Sequence, residues 1–379
     1  MTKLDELIQE LCPDGVKYLP IPELFITRNG YTPSKANNEF WENGTIPWFR
    51  MEDIRENGRI LTTATQYVSE KAVKGKLFPA DSIIIATSAT IGEHALIKVP
   101  SLANQRFTYL TLKDEFKDCV DMMFVFYYCF RLDEYCKSHL NQGNFASVDM
   151  KQFAAFKFPV PPLPVQREIV HILDNFTELT AELTTELTAR KQQYAYYRDK
   201  LLAFGDDVPK DTLENLCDFQ YGKGNSIPTA LGEYPVYGCN GVIGTTNVFN
   251  SIDAPVIGHI GSAGIVNWGK GKHFVTYNGT ICKVRPEKMI SRYAYHLLCS
   301  LHLERFVKGS QPFLSYSDFA EETVAVPPLN IQQRVVSILD RFDTLCTDLS
   351  SGLPAEIEAR QKQYEYYRDK LLTFGERFN

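Results

Sequence analysis

Apolar side chains recur at heptad spacing in the middle of the chain, between Pro161 and Gly205. They form two interleaved series, which are interrupted by polar residues only at Thr180 and Arg190. The apolar members are Ile169, Leu173, Phe176, Leu183, Leu187, Tyr194, Tyr197 and Leu201. Because residues with this spacing lie on one side of a helix, the pattern predicts a long helix whose apolar stripe packs against a partner.

The chain contains this helix twice. Residues 194–205 have the sequence YAYYRDKLLAFG and residues 364–375 have YEYYRDKLLTFG, so only two of the twelve positions differ. Further upstream, PPLPVQREIVHILDNF at 161–176 matches PPLNIQQRVVSILDRF at 327–342. The offset is larger for the first pair than for the second, so the second copy is longer by about one helical turn. We place this insertion at Ser351–Pro354.

Local residues predict where both helices begin and end. Pro164 suits the first turn of the earlier helix, where the missing N–H of proline costs no hydrogen bond. In the later helix Asn330 is expected to be the N-cap, and Gln333 completes a capping box. Gly205 and Gly375 fit the left-handed position that often ends a helix.

The later helix is also expected to break at Gly352 and to restart with Pro354 at its first position. Each helix spans ~40 residues, or ~60 Å, and pairing with the other copy is the simplest way to bury both stripes. Two alternatives are that each stripe packs on its neighbouring domain and that either seam forms a parallel homodimer. The residues predicted at the contact between the helices are Leu173, Phe176, Leu183, Leu187, Tyr194, Tyr197, Leu201, Phe342, Leu349, Ile357, Tyr364, Tyr367 and Leu371.

Two globular segments alternate with the helices. The predicted division is a first domain at 1–160, a helix at 161–205, a second domain at 206–326 and a helix at 327–379. Both domains are rich in β-forming runs separated by turn residues. The clearest predicted elements are strands at Ser82–Ala86, Phe107–Leu112, Ala254–Ile260 and Gly279–Val284, and helices at about 118–140 and 291–307. The predicted fold class is α/β (α+β), with an antiparallel coiled coil between the two helices.

The two globular domains also resemble each other weakly. Before each proline pair, Gly143…Phe153 and Gly309…Phe319 keep the same offset as the proline pairs themselves. Near the other end, Val16, Leu24 and Gly30 map onto Val208, Leu216 and Gly222 at one constant, larger offset. The repeating unit is therefore a variable domain followed by a nearly constant helix, which predicts a pseudo-twofold axis and termini that lie near each other.

Composition narrows the class of protein. The 379 residues carry a net charge of −6, so overall charge does not indicate a nucleic-acid binder. Nine cysteines occur without a C-x-x-C pair or zinc-ligand spacing, which is typical of reduced thiols in a cytosolic protein. The N-terminal residues do not resemble a signal peptide, and the most apolar run, Met122–Phe130, is too short to span a bilayer. We expect a soluble, cytoplasmic protein.

The order domain–helix–domain–helix, together with PPLPVQREIVHILDNF, KQQYAYYRDKLLAF, PPLNIQQRVVSILDRF and GLPAEIEARQKQYEYYRDKLLTF, resembles the specificity subunit of type I restriction–modification systems. The resemblance covers the whole chain; the domains match in pattern only, as with NGYTPS at Asn29–Ser34 and YPVYGCNGVIG at Tyr234–Gly244. It implies that each domain is a target-recognition domain that recognises one half of a bipartite double-stranded DNA sequence. The helices would set the unread gap and dock two methyltransferase subunits.

The resemblance also assigns the chemistry to partners. The methyltransferase subunits would carry S-adenosylmethionine and methylate adenine N6, and restriction subunits would use ATP and Mg²⁺. This chain is expected to bind no cofactor and no metal. The rival interpretation is a non-catalytic helical scaffold or adaptor whose domains bind protein, and strong salt dependence of duplex binding would separate the two.

Catalytic motifs are absent from the sequence. Val160 and Val326 precede the proline pairs, where a methyltransferase would have the Asn or Asp of its base-holding loop. The GKGK run at Gly269–Lys272 lacks the spacing of a phosphate-binding loop, and Pro79-x-Asp81 is a poor nuclease match because Ala95 replaces the required lysine. The seven histidines are scattered. We therefore expect no active site and a non-enzymatic subunit.

DNA contacts are predicted on two sets of loops, because Arg, Asn, Gln, Ser and Thr can contact base edges. The first domain contributes Thr87, Ser88 and Thr90 in one loop and Asn104, Gln105 and Arg106 in another. The second domain contributes Asn240, His259, Ser262, Asn267, Lys270, Lys272, Tyr277, Asn278 and Gln311. Ordinary turn chemistry is the alternative for each residue alone. The glycines among them, Gly238, Gly241, Gly258 and Gly261, are expected to permit positive φ or close backbone approach.

A local excess of basic residues is consistent with DNA contact by the second domain. Residues 253–308 contain eight Lys or Arg residues and three acids, although the whole chain is acidic. Such an excess can supply phosphate contacts, and an ordinary solvated face explains the composition about equally well. If the helices set the gap, a further turn inserted at Ser351–Pro354 should lengthen it and leave both half-sites unchanged.

Overall fold

The computed structural model describes residues 2–141, 146–224, 231–347 and 352–377. The chain forms two compact units. Unit 1 consists of Met1–Thr180 and Arg360–Asn379, and unit 2 consists of Ala181–Ala359. Each unit therefore combines one globular domain with parts of both long helices.

Unit 1 begins with a domain that has ten strands and five α-helices among its described residues, followed by the long helix α6 at Leu163–Leu202. The elements are α1 (Lys3–Leu11), β1 (Lys17–Pro20), α2 (Ile21–Leu24), β2 (Phe25–Asn29), β3 (Ile46–Phe49), α3 (Met51–Asn57), β4 (Ile60–Leu61), β5 (Tyr67–Val68), β6 (Ser82–Ala86), β7 (His94–Ile97), β8 (Leu102–Ala103), β9 (Phe107–Leu112), α4 (Met122–Ser138), α5 (Met150–Ala155) and β10 (Lys157–Val160).

A five-stranded sheet in the order β2-β9-β6-β7-β4 forms the centre of unit 1. The central strand β6 has the sequence SIIIA and is buried along its length. Ile83 and Ile85 face a core beneath α4, while Ile84 and Ala86 face a second core that contains Trp48. Burial on both faces explains why the strand is a continuous apolar run.

Unit 2 repeats this plan after α6. Its elements are β11 (Lys210–Thr212), α7 (Leu213–Leu216), β12 (Cys217–Tyr221), β13 (Tyr234–Gly238), β14 (Gly241–Thr246), β15 (Ser251–Gly258), β16 (Val266–Val275), β17 (Gly279–Val284), α8 (Ser291–Ser300), β18 (Thr323–Ala325) and α9 (Leu329–Thr347). Helix α10 (Leu353–Leu371) begins in unit 2 and belongs to unit 1 from Arg360 onward. The main sheet has the order β12-β17-β15-β16-β13-β14. As in unit 1, an antiparallel strand pair precedes a long helix: β1 with β10, and β11 with β18.

The predicted elements are confirmed with small changes of boundary. β6, β9 and β17 have the predicted bounds, and β15 begins three residues earlier than predicted, at Ser251. The helix predicted near 291–307 divides into α8 and a 3₁₀ turn at Leu303–Phe306. The predicted match between the starts of the two domains also holds, because Phe25–Asn29 and Cys217–Tyr221 are both strands. Gly143 lies outside the described residues.

The long helices bury their stripes in two ways. In unit 1 the first turns of α6, including Ile169 and Leu173, are buried in the domain core beside Tyr364 of α10. Phe176 then stacks on Tyr367 with ring centroids 5.5 Å apart. Both the predicted mutual pairing and packing on the neighbouring domain therefore occur.

In unit 2 the helix also packs first on its domain and then on the other long helix. Val335 and Leu339 at the start of α9 are buried in the domain core, and Phe342 stacks on Tyr197 at 5.7 Å. Earlier residues of α6 contact the last helix, and later residues contact α9, as in an antiparallel pair. Among the other predicted contact residues, Leu183, Leu187, Tyr194, Leu201, Ile357 and Leu371 are half-buried, and Leu349 lies outside the described residues.

A buried glutamine joins each long helix to its own domain. In unit 1 the Gln166 Nε2 donates to Pro161 O at 2.6 Å and to Cys119 O at 2.8 Å, and its Oε1 accepts from Asp121 N at 2.8 Å. Both carbonyls and the N–H lie at chain turns beside the helix start. We call this arrangement the glutamine bridge.

The second glutamine bridge repeats the first at the matching position of the repeated helix motif. Gln332 Nε2 donates to Pro327 O and Lys288 O, both at 2.9 Å, and Oε1 accepts from Ile290 N at 2.9 Å. Both glutamine side chains are fully buried. The bridge fixes the start of each helix relative to the helix of its domain.

The predicted helix caps were partly wrong. Helix α9 begins at Leu329, so Asn330 lies inside the first turn, and the Pro328 carbonyl accepts the first helical N–H groups instead. Gly205 and Gly375 do not have positive φ. Gly375 O instead accepts a hydrogen bond from Val16 N at 2.9 Å, which brings the two chain ends of unit 1 together as predicted. Helix α10 begins at Leu353, one residue before Pro354.

Candidate nucleic-acid interface

The loop after β6 in unit 1 is held by backbone hydrogen bonds. Thr87 N donates to Arg106 O at 2.9 Å, and Thr87 O accepts from Val148 N at 2.9 Å. Gly92 N closes the loop on Ala86 O at 3.1 Å. Three segments, around Thr87, Arg106 and Val148, therefore meet at this end of the sheet. The first two carry predicted contact residues.

The loop after β15 in unit 2 has the same bonds. His259 N donates to Asn278 O at 2.8 Å, His259 O accepts from Leu314 N at 2.9 Å, and Gly264 N donates to Gly258 O at 3.0 Å. Each donor and acceptor therefore has a counterpart in the other unit. We call this set of backbone hydrogen bonds the loop frame.

A second loop, at 104–106 in unit 1 and 276–278 in unit 2, is also held in the same way in the two units. Asn104 N donates to Phe49 O at 3.0 Å, and Thr276 N donates to Tyr237 O at 3.0 Å. Gly30 and Gly222 pass against these loops. A Cβ on Gly30 would lie 2.3 Å from Asn104 O, and a Cβ on Gly222 would lie 2.2 Å from Thr276 O. Both glycines are therefore required by close backbone approach.

Positive φ angles fall at matched positions as well. Ala89 has φ of 65° and Gly261 has φ of 89°, and the pair Gly92 and Gly264 has 74° and 85°. The loop frame thus imposes one backbone path on two different sequences. The polar triplet predicted at 104–106 corresponds to 276–278, and Thr87 corresponds to His259.

The predicted contact residues differ in exposure. Seven are exposed: Gln105, Arg106, Asn240, Lys270, Lys272, Tyr277 and Gln311. Another seven are half-buried: Thr87, Ser88, Thr90, Asn104, Ser262, Asn267 and Asn278. His259 is buried, and its Nδ1 lies 2.6 Å from Leu314 O, so this nitrogen is occupied by the backbone.

An aromatic cluster surrounds His259. The Tyr221 ring lies 4.4 Å from the His259 ring, the Tyr277 ring lies 5.5 Å from it, and the two tyrosine rings are 6.0 Å apart. Tyr221 Oη is 2.9 Å from Ser315 Oγ, which ties the cluster to the segment after Gly309. The prediction did not include Tyr221. Its place directly before Gly222, where Asn29 precedes Gly30, is the sequence signal that could have identified it.

Most of the basic excess in residues 253–308 is neutralised. Five of the eight bases form ion pairs with acids outside the segment. Arg292, for example, contacts Asp340 at 2.7 Å and also contacts Asp343. The local excess therefore does not form a basic face, because distant acids fold against it. Phosphate contact by this segment stays a prediction, and three of its eight bases have no acid partner among the described residues.

Lys270, Lys272 and Lys283 have no acid partner among the described residues; Lys283 Nζ donates to Gln220 Oε1 at 2.9 Å, and the other two lysines project from β16. Lys272 Nζ lies 5.0 Å from the Phe249 ring and 5.8 Å from the Tyr234 ring. Burial lowers the pKa of the neighbouring His273 imidazole, which therefore stays neutral near pH 7. The positive charge of β16 at this pH comes from the two lysines.

Unit 1 has a polar groove that the prediction identified only in part. It encloses 260 Å³ and includes the predicted triplet Asn104–Arg106. Lys35 and Arg50 line the same groove and were not predicted. Both residues lie earlier in the chain than the predicted strands and contact loops of this domain. Arg50 follows the short strand β3, whose residues are all buried and so show no alternation of apolar and polar positions. Only the fold brings them beside the triplet.

The described residues lack both a metal-binding cluster and a membrane-spanning helix. They contain no group of three or more His, Cys, Asp or Glu side chains that could hold a metal ion. No helix within the described part of the chain is long and apolar enough to cross a membrane.

Known proteins share the sequence and the fold. The family model "Type I restriction modification DNA specificity domain" matches residues 13–190 and 212–359. The EcoprrI type I restriction enzyme specificity subunit of Escherichia coli is 45% identical over 375 residues, which cover 92% of this chain and 93% of the relative. The EcoR124I/EcoR124II specificity subunit of Escherichia coli is 35% identical over 275 residues, covering 62% and 68%.

Two solved structures have a similar fold at low sequence identity. A type I restriction–modification S subunit from M. genitalium aligns with a TM-score of 0.55 at 17% identity, covering 94% of this chain and 95% of that one. A chain from work on complex assembly and conformational transition of the type I restriction–modification system aligns at 0.61 and 15%, covering 95% and 98%. The duplicated domain–helix architecture is thus found in both.

The family model covers most of the chain in two copies, and the EcoprrI relative aligns over nearly its full length. These matches confirm the resemblance inferred from the helix motifs, including a non-catalytic role and the recognition of a bipartite DNA target. The chain belongs to the specificity subunits of type I restriction–modification systems.

Proposed function

We propose that the two loop frames are the surfaces through which this subunit contacts DNA. The domain at 1–160 recognises one half of the bipartite duplex sequence, and the domain at 206–326 recognises the other. The observation that carries this proposal is the shared backbone path with different side chains on it: Thr87 against His259, and Gln105 against Tyr277. Two half-sites of unlike sequence require this combination of constant geometry and variable chemistry.

The side chains on the frames suit base recognition. Arg106 and the amide NH₂ groups of Asn104 and Gln105 can donate to the acceptors of guanine, and hydroxyls such as Ser262 accept or donate to several bases. Lys270 and Lys272 supply phosphate contacts in unit 2. The long helices hold the domains at a set distance and thereby fix the length of the unread gap.

The partners in this proposal are two methyltransferase subunits that carry S-adenosylmethionine and methylate adenine N6 after flipping it from the duplex. Restriction subunits that use ATP and Mg²⁺ complete the cleaving complex. Tyr196 and Tyr366 support a twofold docking arrangement. They are 61% and 62% exposed, and each ring lies 5.3 Å from the ring of the next tyrosine at an interplanar angle of 75°. Exposed aromatics are frequent anchors of protein interfaces.

A strand-resolved map of N6-methyladenine tests the proposal. The chain is expressed with its cognate methyltransferase subunit in a host that lacks both, and a strain without the chain is the control. We expect a bipartite methylated motif that disappears in the control. Exchange of residues 206–326 for those of a relative should replace one half of the motif and leave the other half and the gap unchanged.

Absence of chain-dependent methylation, despite a purified complex of the expected composition, would contradict the proposal. The rival function, a scaffold whose domains bind protein, would then be favoured. Duplex binding by the purified complex across a salt series separates the two, because counterion release gives a steep dependence only when phosphates are contacted.

A further inference from the structure

The groove in unit 1 has an unusual balance of hydrogen-bonding groups. Its lining residues are Thr32, Lys35, Trp48, Arg50, Met51, Glu52, Asn104, Gln105 and Arg106. The groove has a volume of 260 Å³ and opens to solvent, so the edge of a base can reach its rim. The side chains at its rim decide which base edge it accepts.

The two amides have their oxygen atoms occupied inside the protein. Asn104 Oδ1 accepts a hydrogen bond from Arg106 N at 3.0 Å. Gln105 Oε1 accepts from the Thr32 hydroxyl. Each amide therefore keeps its NH₂ group, a pure donor, for a ligand.

The cations add further donors. Arg106 is exposed and has no ion-pair partner among the described residues, and the same holds for Lys35. Arg50 donates from one terminal nitrogen to Thr65 Oγ1 at 3.1 Å, while its Nε is buried without a hydrogen-bond partner. The single acid of the groove, Glu52, lies 3.9 Å from that Nε and offsets part of the Arg50 charge.

We propose that this groove recognises a guanine through its major-groove edge, with Arg106 and Arg50 as the specificity-determining residues. Guanine presents two adjacent acceptors, N7 and O6, and no donor on that edge. Adenine and cytosine each present an amino donor, and thymine presents a methyl group. A groove whose available groups are mainly donors therefore favours guanine over the other three bases. This inference rests on the proposed function of the loop frames.

Unit 2 lacks the same set of donors. Phe49 and Tyr237 are equivalent, because each carbonyl accepts the hydrogen bond from the matched loop. The next residue is Arg50 in unit 1 and Gly238 in unit 2. Gln105 and Arg106 correspond to Tyr277 and Asn278. The guanine contact is thus specific to the half-site recognised by unit 1.

Binding of the purified complex to modified duplexes tests the inference. The methylation map and the exchange of residues 206–326 first identify the half-site that belongs to unit 1. Each guanine in that half is then replaced singly by 7-deazaguanine, which removes the N7 acceptor and keeps base pairing. We expect one position at which this replacement weakens binding roughly tenfold.

The protein variants are Arg106→Ala and Arg50→Ala, and Arg55→Ala is the matched control. Arg55 is an exposed arginine of the same unit that does not line the groove. With Arg106→Ala the penalty for 7-deazaguanine at the sensitive position should fall below about threefold, whereas Arg55→Ala should leave it at roughly tenfold. Arg106→Lys keeps the charge and loses the paired donors, so it should weaken discrimination against adenine at that position.

Any one of three outcomes would overturn the inference. The first is a unit 1 half-site with no guanine on either strand, and the second is binding of every 7-deazaguanine duplex as tightly as the unmodified duplex. The third is an equal loss of binding to the 7-deazaguanine duplex in all three alanine variants. Failure of the proposed function gives a different result, because the methylation map obtained with the parent chain would then show no bipartite motif. Circular dichroism of each variant confirms that the fold is intact.

Discussion

At the scale of single residues, Gln332 makes the most consequential contacts of the described chain outside the loops. Its amide satisfies two carbonyls and one N–H, of which the bond to Pro327 O is buried and the bonds to Lys288 O and Ile290 N are part-buried. A buried polar group left unpaired costs about 1–3 kcal/mol. The glutamine bridge is therefore both a stability element and the joint between domain and helix.

Gln332→Leu should destabilise unit 2 by about 3 kcal/mol, because three backbone groups lose their partner at once. Hydrogen exchange followed by mass spectrometry should show faster exchange around Ile290, whose N–H donates to Gln332 Oε1. Gln333→Leu, at the exposed neighbouring position, is the control and should change stability by less than about 0.5 kcal/mol. Equal effects of the two substitutions would contradict the assigned role.

Local sequence could not single out Gln332. The prediction chose Asn330 and Gln333 because their spacing fits a capping box. The competing Pro328 carbonyl moved the helix start, and the partners of Gln332 come from Lys288 and Ile290, in a distant part of the chain. A comparison of the two copies was the available signal, since Gln166 and Gln332 occupy the same position in the repeated motif.

At the scale of secondary-structure elements, a polar chain of contacts joins three helices of unit 2. Tyr194 Oη on α6 lies 2.8 Å from His296 Nδ1 on α8, and His296 Nε2 lies 2.7 Å from Asp340 Oδ1 on α9. Arg292 also donates to Asp340 at 2.7 Å. Burial lowers the pKa of the His296 imidazole, and the hydrogen bond to Asp340 opposes this effect only in part.

The lowered pKa makes unit 2 sensitive to mild acid. Below about pH 6.5 the unfolded chain protonates His296 while the folded chain holds it neutral, so the unfolded state binds more protons and stability falls as pH decreases. His296→Gln should be less stable at pH 7 but should lose less stability than the parent between about pH 7 and pH 5. Urea unfolding at a series of pH values measures both, and parallel pH profiles would count against this explanation.

Local sequence patterns predicted the strands and helices named in the sequence analysis. The SIIIA run gave β6 because burial on both faces demands apolar residues without alternation. The heptad seam gave the stacking of Phe176 on Tyr367, since the repeat placed matching aromatics on both helices. The surface charge of the basic segment at 253–308 could not be judged from composition, because a count along the chain ignores acids such as Asp340 that fold against it.

At the scale of the whole molecule, the repeat presents the motifs of the long helices twice. Tyr196 belongs to unit 2 and Tyr366 to unit 1, and the two side chains have almost the same exposure. Their inward neighbours, Tyr197 and Tyr367, stack on the partner helix. Each exposed ring packs edge-on against the next tyrosine and leaves most of its surface open, and this open surface is the one proposed to bind a partner subunit.

Tyr196→Ala and Tyr366→Ala should each weaken the docking of one methyltransferase subunit by about tenfold or more, as for an aromatic anchor. Native mass spectrometry of the complex should show loss of one copy in each single variant and of both copies in the double variant. Glu365→Ala, a change at an exposed neighbour on α10, is the control. Retention of two copies in the double variant would refute this assignment.

The loop frame separates two tasks within one stretch of chain. Its hydrogen bonds join main-chain N–H and C=O groups, which every amino acid other than proline provides. Replacement of a side chain such as Gln105 or Tyr277 leaves those bonds in place and costs little folding energy. If the loop frames contact DNA as proposed, a change of target therefore requires only new side chains and no new backbone path.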